Sequence, residues 1–350
     1  SADRYSATSS GVWGSRHMKR LIALSLIIFS LVVGWYWMMY ENSISTSSIT
    51  EQMGSVVITI EQGQNLNQIT STLDEKGVVD GRWFKWLVRF EGVANKIQAG
   101  EYAFSPGLTP VDILNFLVKG KVNQYALSII EGQTFKEVLQ EIHRHPAIKK
   151  TLPDNVSINR YLELLNIPEK HLEGMLLAET YFFIKNTSDA EIIMRAYRSM
   201  QHFIHTAWPA RDKKKVIPTV YDALILASIV EKETGAAHER KEIAGVFIRR
   251  LEMGMKLQTD PTVIYGMGDR FKGDIRYRDL REDTPYNTYT RYGLPPTPIA
   301  MPGKAAIDAV LHPLDTKKLY FVSKGDGTHV FSETLKQHNA AVDKYQRNKK

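Results

Sequence analysis

Cysteine is missing from all 350 residues. That absence excludes disulfides, thiolate zinc sites, iron–sulfur clusters and cysteine nucleophiles together, and leaves a chain indifferent to an oxidising compartment. The G-x-S-x-G turn of a serine hydrolase is absent as well. Ten His are present, yet the run His238-Glu239-Arg240-Lys241-Glu242 ends in Glu where a zinc peptidase needs its second His. No metal and no cofactor is expected. Charge is missing near the start: Leu21 to Tyr40 carries none, and neither Lys nor Arg occurs between Arg20 and Lys76. The net charge of +7 suits nucleic acid, anionic lipid or an acidic polymer, so charge alone does not choose a partner.

What is present near the start is the uncharged run LIALSLIIFSLVVGWYWMMY, Leu21 to Tyr40. At about 1.5 Å per residue it matches the ~30 Å hydrocarbon thickness of a bilayer. A cleaved signal peptide is the alternative reading, but that needs small residues at its exit, where this chain has Trp35, Tyr36, Trp37 and Tyr40. Lys19 and Arg20 precede the run, so the positive-inside rule predicts a cytoplasmic N-terminus and a bulk outside the cytoplasm. In that location nucleic acid is not an expected partner, and no basic-aromatic motif argues for one. Ser1 to His17, Ser-rich and without an initial Met, precede a Met18-Lys19-Arg20 that reads as a natural start, and are expected to be an expression scar. Glu41 to Ser55, polar and Ser/Thr-rich, reads as a linker.

Three segments then share one order of strand, tight turn and helix. Ile58 to Leu73 aligns without gaps on Leu127 to Ile142 through a shared Gly-Gln, and Glu101 to Leu117 repeats the order with Pro106-Gly107 as turn, Thr109 as N-cap and Pro110 at the first helical position. The pattern resembles a LysM-like glycan-binding module; a purely structural spacer fits it equally well.

Further on, Thr219 with Asp222 three residues later predicts a capping box opening a helix through YDALILASIVEKET, Tyr221 to Thr234. Leu224 to Val230 is almost wholly apolar, so the helix is expected to be buried. It ends in Glu231 and Glu233. Periodicity directs both inward and does not separate them. A buried carboxyl has a raised pKa and stays protonated near neutrality, as a general acid for a glycosidic oxygen requires. The structural alternative is a pair of ordinary helix-end charges neutralised by Lys232, Arg240 or Lys241. LQTDPTVIYG, Leu257 to Gly266, sets Gln258, Thr259 and Asp260 before a Pro-started helix. PYNTY, Pro285 to Tyr289, is a polar-aromatic loop suited to sugars. Leu319 to Phe331 reads as a hairpin about Gly325-Asp326-Gly327, followed by a helix with Ser332 as its expected cap and a basic tail, Lys344 to Lys350.

IVEKET, LQTDPTVIYG, PYNTY, GLPP.PIA.PG and the terminal H.F..T...H of His329, Phe331, Thr334 and His338 together resemble the YceG-like family. Where that family reads E-G-x-L-F-P-D-T-Y, Glu173 to Tyr181 read EGMLLAETY, keeping the acid as Glu179 and losing the Pro. The resemblance implies an α+β chain with an N-terminal transmembrane helix, a LysM-like strand–helix module and a larger α+β catalytic domain. The expected boundaries are 18–40 for the anchor, 41–55 for the linker, 56–123 for the module and 124–350 for the catalytic part. It implies a single-pass protein of the inner membrane, its catalytic domain periplasmic, cutting nascent peptidoglycan between N-acetylmuramic acid and N-acetylglucosamine, with peptidoglycan synthases as possible neighbours. It also implies that the first Glu of the EKE motif, Glu231, is catalytic. Glu233, Asp260 and Glu179 then tune that acid or hold the sugar, with Gln258, Thr259, Asn287 and Tyr289 as substrate contacts. One acid suffices for a lytic transglycosylase, because the sugar's own 6-hydroxyl replaces water and gives a 1,6-anhydro end. A water-using muramidase and a non-catalytic peptidoglycan-binding scaffold are the alternatives.

Overall fold

The structure is a computed structural model that describes residues 10–154 and 156–347, with the backbone alone for 10–17. Much of the expected expression scar, and the last three residues of the basic tail, therefore lie outside the described residues. The chain divides into two compact units, Ser1–Gln124 and Tyr125–Lys350.

The first unit begins with α1 (Ser10–Ser45), within which Met18–Ser45 is long and apolar enough to cross a membrane. It continues with β1 (Val56–Ile60), α2 (Leu66–Glu75), α3 (Gly81–Phe90), β2 (Gly100–Phe104) and α4 (Pro110–Lys119). β1 and β2 pair antiparallel from Val56 opposite Phe104 to Ile60 opposite Gly100. Alternation turns Ile58, Ile60, Tyr102 and Phe104 to one side, where Leu73, Phe84, Ile113 and Leu117 complete the core. α2 and α4 each open on a capping box, at Asn65 with Gln68 and at Thr109 with Asp112. α4 stops at Gly120, whose φ of 62° is left-handed. The polar linker expected over 41–55 is corrected in part: α1 runs on to Ser45, and Ile49 is buried in this core. Two apolar residues in a polar stretch, Ile44 and Ile49, find the core and anchor it.

The second unit contains β3 (Gln124–Ser128), α5 (Phe135–Arg144), β4 (Ile148–Lys149), α6 (Ile158–Leu165), β5 (Thr180–Ile184), β6 (Thr187–Ser188) and α7 (Asp189–Ala207). These are followed by α8 (Val220–Glu233), α9 (Arg240–Glu252), α10 (Asp260–Met267), α11 (Lys304–Leu311), β7 (Tyr320–Ser323), β8 (His329–Ser332) and α12 (Leu335–Val342). β3 pairs with β5, β4 with β6 in parallel, and β7 with β8 in the antiparallel hairpin. The last copy of the strand–turn–helix pattern thus works in the second unit, its strand pairing with β5.

At the centre lies α8. Thr219 Oγ1 accepts from Asp222 N at 3.1 Å and Asp222 accepts from Thr219 N at 3.1 Å, the expected capping box. Every residue from Ala223 to Val230 is buried, against α9 and α11. Each of the Leu, Ile and Val side chains there contributes roughly 1.5–3 kcal/mol by leaving water. Ser228, the polar exception, donates to Ile225 O at 2.7 Å and accepts from Ile299 N at 2.9 Å. The carboxylates at the end of α8 consequently project from a rigid mount. The expected cap of the last helix is corrected from Ser332 to Thr334: Ser332 closes β8, and Thr334 forms the capping box with Gln337.

Candidate active site

Glu231 and Glu233 are two residues apart on a helix, so their side chains leave it in different directions. Glu231 enters a polar junction. Its Oε2 accepts from Gly303 N at 2.9 Å and its Oε1 from Arg240 Nη2 at 3.4 Å. The side chain is 6% exposed and that of Arg240 12%. Burial raises the Glu231 pKa, the Gly303 amide opposes the rise, Glu131 adds to it, and Arg240 again opposes it. Around it, Gly132 N donates to Met301 O at 2.8 Å, Met301 N to Gln133 O at 2.7 Å, and Lys232 Nζ to Gly132 O at 3.1 Å. A Cβ at Gly303 would meet the exposed Glu131 side chain, which would have to swing aside. Residues 131–133 and 301–303 are thereby sewn to the end of α8.

Glu233 leads instead into a cavity of about 480 Å³. Thr259 Oγ1 donates to its Oε1. Burial pushes its pKa up to about 7; the Thr259 bond lowers it, the Asp260 charge raises it, and His329 and Arg250 lower it. Gln258, Thr259, Asp260 and Tyr289 line the same cavity, so five of the sequence-predicted residues meet there. Asp260, the first residue of α10, accepts from Tyr289 Oη at 2.6 Å. Burial and that carboxylate both raise the Tyr289 phenol, which stays protonated as a donor. Gln258 stands in the left-handed region at φ 52°, an arrangement costing roughly 1–2 kcal/mol for a residue with a Cβ. Its N–H donates to Thr288 O at 3.2 Å, and Thr259 N donates to Thr288 Oγ1 at 3.0 Å. These two bonds offset the strain and hold the Gln258-Thr259-Asp260 wall in register with the 287–289 loop.

Three predicted residues stand apart from this cavity. Asn287 is buried and serves its own loop: Nδ2 donates to Asp279 O, Leu280 O and Glu282 O, and Oδ1 accepts from Tyr289 N at 2.9 Å. Its effect on the cavity passes through the position of Tyr289. Glu179 is exposed and pairs with Lys304 at the start of α11. Glu231 occupies the junction just described.

Residues that the sequence reasoning did not select complete the wall: Arg250, Tyr320 and His338. The guanidinium of Arg250 donates to Leu319 O at 2.6 Å and Leu257 O at 2.7 Å, tying α9 to both the hairpin and the 257–260 wall. The His338 ring stacks on Tyr320 with centroids 5.2 Å apart, and its Nδ1 has no hydrogen-bond partner among the described residues. Burial, then the Arg250 charge, lower its pKa. The H.F..T...H spacing was the available signal, since it puts His329 on β8 and His338 on α12, both at the cavity. His329 itself is held by Glu239, whose Oε1 accepts its N–H at 2.9 Å and whose Oε2 lies 2.7 Å from Nδ1. Burial would raise Glu239, but these contacts outweigh it and lower its pKa. A further buried acid, Glu173, lies away from the cavity lining, accepting from Phe135 N at 2.8 Å and Tyr265 Oη at 2.9 Å. Burial pushes it up to about 7.

Chemically, the cavity joins a carboxyl that carries a proton near neutrality to a second carboxylate, a phenol donor and aromatic faces, a set suited to proton transfer on a polyhydroxylated substrate. Comparison with known proteins adds the following. The YceG-like family profile matches residues 58–344. An endolytic murein transglycosylase of Bacillus subtilis (strain 168) is 33% identical over 336 residues, covering 90% of this chain and 91% of that protein. The protein of the same description from Streptococcus pneumoniae serotype 2 is 26% identical, covering 93% of this chain and 65% of its own greater length. A crystal structure of a yceG-like protein from Listeria monocytogenes superposes with a TM-score of 0.54 at 31% identity, over 82% of this chain and 98% of that one.

Proposed function

The chain belongs to the YceG-like family, and from that premise we propose that it is a membrane-anchored endolytic lytic transglycosylase. It cuts nascent peptidoglycan between N-acetylmuramic acid and N-acetylglucosamine, leaves 1,6-anhydro ends and thereby terminates strand elongation, beside the synthases that build the strand. The charge asymmetry around Leu21 to Tyr40 supports a single pass through the inner membrane with the second unit in the periplasm. The strand–turn–helix pairs of the first unit support a LysM-like hold on the glycan.

One observation carries the catalytic assignment: Glu233 lines the cavity with Asp260 and Tyr289, whereas Glu231, whose pKa burial also raises, lies outside that lining and is bound by Arg240 and the Gly303 amide. The geometry therefore favours Glu233 over Glu231, the residue that the family resemblance points to. Protonated Glu233 donates to the glycosidic oxygen as the bond to C1 breaks. The resulting carboxylate takes the proton of the 6-hydroxyl as that oxygen closes on C1, so the acid is restored without water. Asp260, next to it, opposes early loss of the proton by raising the Glu233 pKa and, with Tyr289, can bond a sugar hydroxyl.

Asp260 also supports a second reading. Two carboxylates in one cavity are what a muramidase uses, with Asp260 as the base for water. Mass spectrometry of glycan released by the full chain in detergent separates the readings. Anhydro ends support the transglycosylase, reducing ends the muramidase, and an uncut substrate would leave the non-catalytic scaffold.

A further inference from the structure

α3 carries two faces. Gly81, Trp83, Phe84, Leu87 and Val88 are buried, while Trp86 and Phe90 are 48% and 64% exposed. The two exposed rings stack on each other with centroids 5.6 Å apart. Arg82, Lys85 and Arg89 recur beside them at helical spacing, and none of the three has an ion-pair partner among the described residues. Two neighbouring acids accept from backbone amides: Asp80 from Arg82 N and Trp83 N, and Asp74 from Gly81 N. Exposed aromatics next to an unpaired basic stripe ask for a partner that is apolar and anionic together.

The first unit itself supplies the geometry of that partner. Tyr36 meets Trp83 at 6.4 Å between centroids, Tyr40 meets Trp83 at 6.1 Å, and Tyr40 meets Phe90 at 5.8 Å. Between α1 and α3 runs an apolar cleft of about 400 Å³ that reaches from Tyr40 back to Val32 and Val33 on one side and is walled by Trp83, Trp86 and Phe90 on the other. Val32 is eight residues before Tyr40, about 12 Å along the helix axis at ~1.5 Å per residue. A headgroup layer is only roughly 5–8 Å thick on each side of the hydrocarbon. If the uncharged run fills the bilayer, the walls of this cleft extend below the headgroups. α3 cannot then stand clear of the membrane.

We propose that α3 is an in-plane membrane helix, seated in the leaflet from which the first unit emerges. Trp86 and Phe90 enter the acyl boundary, while Arg82, Lys85 and Arg89 hold the phosphates of anionic phospholipids. The inference rests on the reading of α1 as a membrane span. It adds a second contact with the bilayer, so that the first unit would have a fixed tilt instead of swinging on a tether.

The Cys-free sequence makes site-directed spin labelling the direct test. Single variants Trp86→Cys, Phe90→Cys and, as a depth standard in the span, Ile28→Cys are labelled in the full chain. They are reconstituted into nanodiscs of phosphatidylethanolamine and phosphatidylglycerol. Relaxation by oxygen and by a water-soluble nickel chelate is then measured. The expected result is that labels at 86 and 90 are several-fold better relaxed by oxygen than by the chelate, as at 28 but shallower. Adding Arg82→Glu, Lys85→Glu and Arg89→Glu, or replacing phosphatidylglycerol by phosphatidylcholine, should raise chelate access at 86 several-fold. Full chelate access at 86 and 90 with residue 28 shielded overturns the proposal and leaves the span intact; chelate access at 28 overturns the span itself. Shielding of 86 from both relaxants indicates a protein cover and rejects the lipid, and shielding unmoved by charge reversal or by neutral lipid rejects the role given to the basic stripe.

Discussion

The two sides of the end of α8 hold the same functional group among different partners, although burial raises the pKa of both. Towards residues 131–133 and 301–303, Glu231 meets a backbone donor and a cation, both of which stabilise its charge. Towards the cavity, Glu233 meets a hydroxyl and a neighbouring carboxylate, and burial pushes its pKa to about 7. Fixed donors around a carboxylate hold an architecture together; a carboxyl that must part with a proton and recover it needs a site where neither form is strongly preferred. A separation of two residues on one rigid helix is enough to give the two carboxyls different partners.

The sharpest way to break this contrast is Glu233→Gln, for which we expect a loss of 10²- to 10⁴-fold in strand cleavage, the usual range for removing a general acid–base. Product-resolved mass spectrometry reads it. A rate within tenfold of wild type would show that the acid lies elsewhere. Glu231→Gln is the partner experiment. Its rate should fall less than that of Glu233→Gln, while Glu231→Ala, which strands Arg240 and the Gly303 amide, should cost about 1–3 kcal/mol in a denaturation experiment.

pH sharpens the same comparison. Glu233 is raised from 4.5 to about 7 in the folded chain, so the native state binds its proton more tightly than the unfolded state. The associated stability is present below the unfolded value and is lost as pH rises through about 7. Thermal scans should show that loss in wild type and less of it in Glu233→Gln. Cleavage should decline on the alkaline side with an apparent pKa near 7. Asp260→Asn, removing a charge that raises Glu233, should move this limb to lower pH, and Thr259→Val, removing a bond that lowers it, should move the limb higher. Glu173 also sits near 7, so Glu173→Gln is the control and should leave the limb in position. The smallest effect is expected for Glu179→Gln: its pair with Lys304 is exposed, and loss of such a pair changes stability by less than ~1 kcal/mol.

Much of the frame was legible because it depends on local rules. The capping box at Thr219, the strand–turn–helix order and the hairpin around Gly325-Asp326-Gly327 follow from neighbours within a few residues, and the structure has them. LQTDPT and PYNTY were both expected to touch substrate, but their direct coupling, Thr259 N to Thr288 Oγ1, was not legible. What failed to show depended on distant partners. Periodicity sends Glu231 and Glu233 equally inward; Arg240 and Gly303 for one and Thr259 for the other separate them. Arg250 carries no local signal, because its partners are carbonyls from two other segments. Ser332 and Thr334 are both good caps, and only the length of β8 decides between them.

One wall of the cavity comes from Tyr320 and His338, which leave the ribosome well after Glu233. At about 5–20 residues per second, the stretch separating Glu233 from His338 takes on the order of 5–20 s to synthesise. Throughout that interval Glu231 and Glu233 have been synthesised, but the hairpin that encloses Glu233 and brings His338 against Tyr320 has not. The chain order thus builds a delay into the cavity: Glu233 is made early, and the side chains that enclose it are finished last.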